Sequence, residues 1–187
     1  MTDLGPEWVP DGDGVPSRDA ARLILFDGSG RVLLIRGHDT HDVNHTWWFT
    51  TGGGLEPGED PAKGAVRETF EETGIRVDPG SLQGPVMHRE GEFRFRNVTA
   101  RQDEVFYVAH LDQVMPELDG RRLTDVETQT LDEFAWFTPE EVRELANTAD
   151  IYPKALPELL PAWSKKWDGR FVELGRDQGW GGGGKAE

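Results

Sequence analysis

The stretch from Trp47 to Ile75 constrains this chain more than any other. A strand-like run, Trp47-Trp48-Phe49-Thr50-Thr51, ends abruptly at Gly52-Gly53-Gly54, and a sharply delimited helix follows. Asp60 is placed to cap that helix, Pro61 fits its first position, and Gly74 is placed to stop it. With Glu68 at 0° and an advance of ~100° per residue, Glu72 lies at about +40° and Glu71 at about −60°. The three carboxylates therefore share one face. Val66, Phe70 and Thr73 gather on the opposite side and are expected to face the core. Gly64 and Ala65 fall beside the carboxylates, where small side chains leave room for a ligand.

Carboxylates at spacings of three and four repel one another. On a solvated surface such a run needs no ion. As a site it needs cations, and oxygen-only ligands suit hard ones, with Mg²⁺ first and Mn²⁺ as a substitute. Arg67, four residues before Glu71, is placed to pair with it and orient the group.

The flanking sequence reads as strands. Arg22 to Phe26 and Arg31 to Arg36 surround Asp27-Gly28-Ser29-Gly30 as a hairpin. Both runs are nearly all apolar, as in strands covered on both faces. Phe93 to Arg96, Glu104 to Ala109 and Glu133 to Phe137 are further strands. Thr138 caps a second helix through Ala146. Residues 153–167 form a third helical stretch, interrupted by Pro157 and Pro161. The pattern gives an α/β sandwich around a mixed β-sheet. We divide the chain into an irregular N-terminal arm (1–16), a main domain (17–148), and a C-terminal helical extension with a flexible Gly-rich tail (149–187). Asp11-Gly12-Asp13-Gly14 reads as a turn, because the later ligands of a calcium loop are missing.

Composition narrows the partners. The 187 residues carry 20 Lys and Arg against 35 Asp and Glu, a formal charge of −15, and no cysteine. Disulfides, thiolate metal sites and a cysteine nucleophile are excluded. So acidic a surface repels a nucleic-acid polymer. No apolar run approaches a membrane span, and the acidic N-terminus does not resemble a signal peptide, so the expected location is cytoplasmic. A small polyanion is still accessible if divalent cations sit between the charges.

Gly53, five residues, Glu59, seven residues, then Arg67-Glu68-Thr69-Phe70-Glu71-Glu72-Thr73-Gly74-Ile75 resembles the Nudix box of the MutT-like, bacterial-type Nudix hydrolases. Every charged and glycine position matches. Two positions depart: Thr69 stands where an aliphatic residue is usual, and Thr51 where many members have proline. The hairpin, the strand before the glycines and Trp136-Phe137-Thr138-Pro139-Glu140-Glu141 extend the likeness to about residues 17–148. The resemblance implies a Nudix-type α/β/α sandwich and a Mg²⁺-dependent pyrophosphohydrolase. Its substrate would be a nucleoside diphosphate linked to another group: a nucleoside triphosphate, nucleotide sugar, ADP-ribose or dinucleotide. It also leaves a homodimer open. The alternative is a catalytically silent nucleotide-binding sensor or interaction module of the same fold, but this box has lost no carboxylate. The isopentenyl diphosphate isomerase branch works with a cysteine, which is absent here.

By the same resemblance Glu68, Glu71 and Glu72 are metal ligands, Gly53 donates a carbonyl, Glu59 has a structural or metal-linked role, and Arg67 orients the group. Glu127 is the first candidate for an external general base and Glu104 the second. Arg36, with Arg22, is a candidate phosphate contact. Trp48 is a candidate stacking surface for a base, although aromatics in strands are more often core. His38, His41 and His45 lie at zinc-like spacing, but among Asp39, Asp42 and Asn44 they read as a solvated loop.

Overall fold

The structure is a computed structural model that describes residues 7–39, 42–95, 98–119, 123 and 125–178. In chain order its elements are β1 (Val9–Pro10), β2 (Pro16–Phe26), β3 (Val32–His38), β4 (Thr46–Phe49), β5 (Thr51–Gly54) and α1 (Pro61–Thr73). Then come a short 3-10 turn, β6 (Gln83–Phe95), β7 (Val98–His110), α2 (Asp125–Thr130), β8 (Leu131–Phe137) and α3 (Pro139–Leu145). The elements end with β9 (Asp150–Ile151), α4 (Leu156–Trp163) and β10 (Val172–Gln178).

The ten strands among the described residues make one mixed sheet, ordered β10-β6-β7-β2-β3-β4-β9, with β1 and β5 paired to β2 and β8 to β3. Strand β2 is its spine. It runs parallel to β7 from Ser17↔Arg101 to Phe26↔His110 and antiparallel to β5 from Ala20↔Gly54 to Leu23↔Thr51.

Residues on β2 alternate between two cores, and that alternation builds the layers. Ile24 and Phe26 pack with Val142 of α3 and with Leu156, Leu160 and Trp163 of α4. Ala21, Leu23 and Leu25 pack on the other face with Ala65 of α1 and with Ile75. The sheet is thus covered on both sides, the expected α/β/α sandwich, and the apolar continuity of β2 and β3 follows from it. Residues beyond 148 are built into this body. Ile151, Leu156, Leu160 and Trp163 share the core, and the stretch expected to be helical also contributes two strands, β9 and β10. The Gly-rich tail lies outside the described residues.

Helix α1 is bounded as its sequence requires. Asp60 accepts from the Lys63 N–H (3.1 Å), and Gly74, at φ +75°, closes the helix with its N–H on the Phe70 carbonyl (2.8 Å). Which face is buried corrects the helical-wheel expectation. Gly64, Ala65, Thr69, Glu72 and Thr73 are buried, while Val66 and Phe70 are only half-buried. The helix presses close to β2 and β5 through its small side chains, so the space beside Gly64 is not open to a ligand. A Cβ there would meet Leu55 Cδ2 at 2.3 Å. Phe70 is covered instead by the Arg76 guanidinium, 4.2 Å from its ring centroid.

Candidate active site

The glycine strand β5 lies between β2 and α1, and each of its three glycines meets something specific. Gly52 has φ +117°, and a Cβ on it would be 2.3 Å from the Ala21 carbonyl oxygen. A Cβ on Gly53 would be 2.5 Å from Glu68 Oε2, and one on Gly54 3.0 Å from Arg18 Nη1. Glycine is needed here for close approach as much as for backbone freedom.

Arg67 is the hub of the box. Its Nε and Nη2 donate to the two Glu59 oxygens (2.8 Å each), Nη1 to Glu68 Oε1 (2.6 Å) and Glu71 Oε2 (3.4 Å), and Nη2 also to the Gly54 carbonyl (3.1 Å). Glu59 in turn accepts from the Glu56 N–H (2.9 Å) and ties the loop to the helix. These bonds from Arg67 hold the Glu59 carboxyl below the usual range, and its carboxylate partners raise the guanidinium's pKa further.

Glu72 is buried, 4% exposed, and its Oε2 accepts from the Gly52 N–H at 2.9 Å. Glu68 is mostly covered, whereas the Glu71 side chain is 45% exposed. Three carboxylates around one guanidinium, with Glu72 on the same helix face, leave this patch strongly negative, and its donors are all oxygen, the chemistry a hard divalent cation requires. Among the described residues no group of three or more acidic or histidine side chains is already converged on one point. Glu68, Glu71 and Glu59 are drawn to Arg67 instead. The ligand chemistry fits a hard cation, and filling the site means trading contacts with Arg67 for contacts with the ion.

The two positions that depart from the usual box stand against each other. Thr51 Oγ1 and Thr69 Oγ1 are 2.8 Å apart and buried, with Thr69 Oγ1 also 2.8 Å from the Ala65 carbonyl and Thr51 Oγ1 3.2 Å from that of Leu23. One hydroxyl replaces the usual proline and the other the usual aliphatic, and each supplies what the other's polar atom needs in a dry site.

This architecture, a glycine strand, an arginine hub and a carboxylate helix on a sandwiched mixed sheet, has an assignment. The family model described as NUDIX domain matches residues 16–159. The chain belongs to the Nudix hydrolase family. A MutT-like protein from Streptomyces ambofaciens is 34% identical over 137 residues, 73% of either chain. An RNA pyrophosphohydrolase from Azorhizobium caulinodans is 36% identical over 67 residues, 34% of this chain and 39% of that one. A diphosphoinositol polyphosphate phosphohydrolase 3-beta from Bos taurus is 36% identical over 74 residues, 40% and 43% of the two chains. The chain spans well under half the length of these last two. Among solved structures, the MutT protein from Bacillus halodurans matches with a TM-score of 0.57 at 18% identity, over 86% of this chain and 90% of that one. A C. elegans Ap4A hydrolase matches with a TM-score of 0.51 at 18% identity, over 78% and 96%. These two likenesses concern the fold.

Outside the box, several residues of this Nudix protein are placed differently from what the sequence suggests. Glu104, a candidate base, is buried between two arginines: Arg22 Nε reaches Oε1 (3.0 Å) and Arg89 Nε reaches Oε2 (2.5 Å). Burial alone would raise its carboxyl, but the two guanidiniums outweigh that and hold it below the ordinary range. A dry, doubly paired carboxylate is no proton acceptor for a water in a cleft. Arg22 is likewise buried rather than an exposed strand-end charge. Trp48 is core, 6% exposed and edge-on to Phe137 at 5.1 Å, so it offers no open stacking face.

Arg36 is 38% exposed, pairs with Glu133 (3.1 Å) and lies over Trp48 at 5.8 Å. Glu127 falls on the short helix α2 rather than in a loop, and its side chain lies outside what the structure describes. His38 pairs with Asp132 (2.8 Å) and His45 packs edge-on against Trp47, so the two serve separate contacts; His41 lies outside the described residues. Arg89 and Gln102, to which the sequence assigned no site role, are brought behind the glycines by β6 and β7, beside Arg22 of β2, the candidate phosphate contact, whose guanidinium is turned to Glu104 and the Gly52 carbonyl instead.

Proposed function

We propose that this Nudix protein is a Mg²⁺-dependent pyrophosphohydrolase that cleaves a nucleoside diphosphate linked to another group. The reading is carried by one observation: Glu59, Glu68 and Glu71 are held around the Arg67 guanidinium, with Gly53 against Glu68 and Glu72 buried against the Gly52 N–H, so the complete set of the box stands in one place. Relatives described as an RNA pyrophosphohydrolase and a diphosphoinositol polyphosphate phosphohydrolase give it further support. Glu68 and Glu72, with Glu71 and the Gly53 carbonyl, would hold the ion. When bound, it supplies charge neutralisation for the phosphate oxygens and acidifies a coordinated water.

The chain's own residues do the positioning. Arg67, whose Nη1 donates to both Glu68 and Glu71, orients the two carboxylates. The glycines let the backbone come close to the substrate, and Arg36 is the candidate contact for an outer phosphate. Water supplies the oxygen that attacks phosphorus, the phosphoanhydride P–O bond breaks, and each product leaves with its own phosphate. Glu127 is proposed to take the proton from that water. In Glu127→Gln, turnover should fall far more than substrate affinity, and unchanged turnover removes the role.

The decisive assay is a panel of canonical and oxidised nucleoside triphosphates, ADP-ribose, nucleotide sugars and dinucleoside polyphosphates. It is run with and without Mg²⁺, with products identified, beside Glu72→Gln. Metal-dependent cleavage of one class, lost in the variant, is the expected result. Tight metal-dependent binding without turnover would replace the enzyme with a nucleotide sensor. No helix among the described residues is long and apolar enough to cross a membrane. A cytoplasmic location and a homodimer belong to the same proposal.

A further inference from the structure

The mechanism above makes no use of the buried ionic group behind the glycine strand. Arg22 alternates along β2 with Ala21 and Leu23, which face α1, so its side chain leaves the sheet on the other face. There it meets Glu104 and Gln102 from β7, with Arg89 from β6 beyond them; all four are buried, at 9%, 1%, 2% and 5% exposure. Arg89 takes one Glu104 oxygen (2.5 Å) and Arg22 Nε the other (3.0 Å). The Gln102 amide fits with its nitrogen donating to Glu104 Oε1 (2.9 Å) and its oxygen accepting from Arg18 Nε (2.7 Å) and Nη2 (2.6 Å). Arg22 Nη1 then donates to the Gly52 carbonyl at 2.6 Å, and the Gly52 N–H donates to Glu72 at 2.9 Å.

We propose that Glu104, Arg22 and Arg89 form a positioning relay that sets the Gly52 backbone and, through it, the orientation of Glu72. The proposal rests on the reading of Glu72 as a metal ligand. Gly52 is a pivot: at φ +117° its two peptide planes are pinned on opposite sides, one by a guanidinium and one by a carboxylate. Paired with Arg22 in the sheet register, it cannot shift along β2 without breaking that pairing. Glu104 aims the fork of Arg22, and Arg89 holds Glu104. The carbonyls on either side of Gly53 are thus held by Arg22 at Gly52 and by Arg67 at Gly54. A planar fork is needed to reach carboxylate and carbonyl at once, and an ammonium cannot reproduce it. Groups that orient a metal ligand without touching the ion typically change metal affinity by about 10–100-fold when removed.

The competing explanation is that the buried ions serve only the fold, and the test separates the two. Mn²⁺ affinity is measured by electron paramagnetic resonance on wild type, Arg22→Lys and Glu104→Gln, and again with each change placed in a Glu72→Gln background. Circular dichroism and melting temperature are recorded for every protein. We expect Arg22→Lys and Glu104→Gln to fold and to weaken Mn²⁺ binding by about tenfold or more, with no further loss once Glu72 is Gln. Mn²⁺ affinities within twofold of wild type alongside lowered melting temperatures would overturn the relay. So would equal losses in both backgrounds, because the effect would then bypass Glu72. Should both variants fail to fold, Arg89→Lys, which leaves Arg22 and Glu104 in place, is read in the same way. Unfolding of all three assigns the group to the fold alone. Failure of wild type itself to bind Mn²⁺ strikes at the functional reading instead, and is seen separately.

Discussion

Gly53→Ala tests whether Glu68 is held for chemistry or for stability. The added methyl carbon would lie 2.5 Å from Glu68 Oε2 and 2.8 Å from its Cδ. Ordinary contact begins at 3.4 Å, so the carboxylate has to withdraw by about 0.9 Å. Gly53 has no positive φ, so alanine brings no backbone strain there. What yields is the end of a flexible side chain, at a cost of about 0.5–1.5 kcal/mol for an off-rotamer torsion. In a chain of this size that lowers the melting temperature by only about 1–6 °C. A ligand misplaced by ~1 Å can cost about 10²-fold in rate. The variant should therefore melt almost normally and yet turn over about a hundredfold more slowly on whichever substrate the panel identifies. Its Mn²⁺ affinity should be weakened. Initial rates, Mn²⁺ titration and a thermal melt on one preparation suffice. Full turnover with normal Mn²⁺ binding would refute the reasoning, since Glu68 would then have moved without consequence. A large melting-temperature loss with turnover preserved per folded molecule would make the contact structural.

Three further outcomes follow from the same geometry. Gly52→Ala puts its methyl 2.3 Å from the Ala21 oxygen and 2.7 Å from Arg22 Cα, both backbone, at φ +117°. Strain and overpacking together predict a loss of about 2–6 kcal/mol. Gly58→Ala, at φ +76° with nothing within 4 Å, should lose only about 1–2 kcal/mol; denaturant midpoints that fail to separate the two would sink the contact argument. Thr69→Val should cost about 1 kcal/mol, and a double-mutant cycle with Thr51→Val should show coupling of at least about 0.5 kcal/mol; strict additivity would mean the two hydroxyls do not interact.

His88 bridges Asp103 on β7 and Glu173 on β10, at 2.8 Å each, and its pKa is raised: burial would lower it, but bonds to Glu173 and Asp103 outweigh that. Its stabilising share is full below the unfolded value near 6.5 and fades as pH rises through the raised folded value. The melting-temperature gap between wild type and His88→Gln should therefore be wider at pH 6 than at pH 9, and a gap independent of pH contradicts the bridge.

Features that depend on neighbours in the chain were legible from the sequence. The helix caps at Asp60 and Gly74, the common face of Glu68, Glu71 and Glu72, and the spacing from Gly53 to Ile75 all lie within a few turns of one another, where backbone geometry alone relates one side chain to the next. The hairpin of β2 and β3 and the two-sided burial of its strands were legible for the same reason. Tertiary structure decided the rest. A helical wheel shows which residues share a face but not which face meets the sheet, and here close packing selected Gly64, Ala65 and Thr69 over Val66 and Phe70. A charge in a strand reads as exposed until its partners are known. Arg22 and Glu104, 82 residues apart, become a buried pair only because β2 and β7 run side by side. Strand β10 is invisible to periodicity because its stability comes from the edge of β6. What the sequence by itself determined is the local chemistry of the carboxylate helix. The sheet, by joining strands distant in the chain, decided what stands behind that helix and which of its candidate partners are buried.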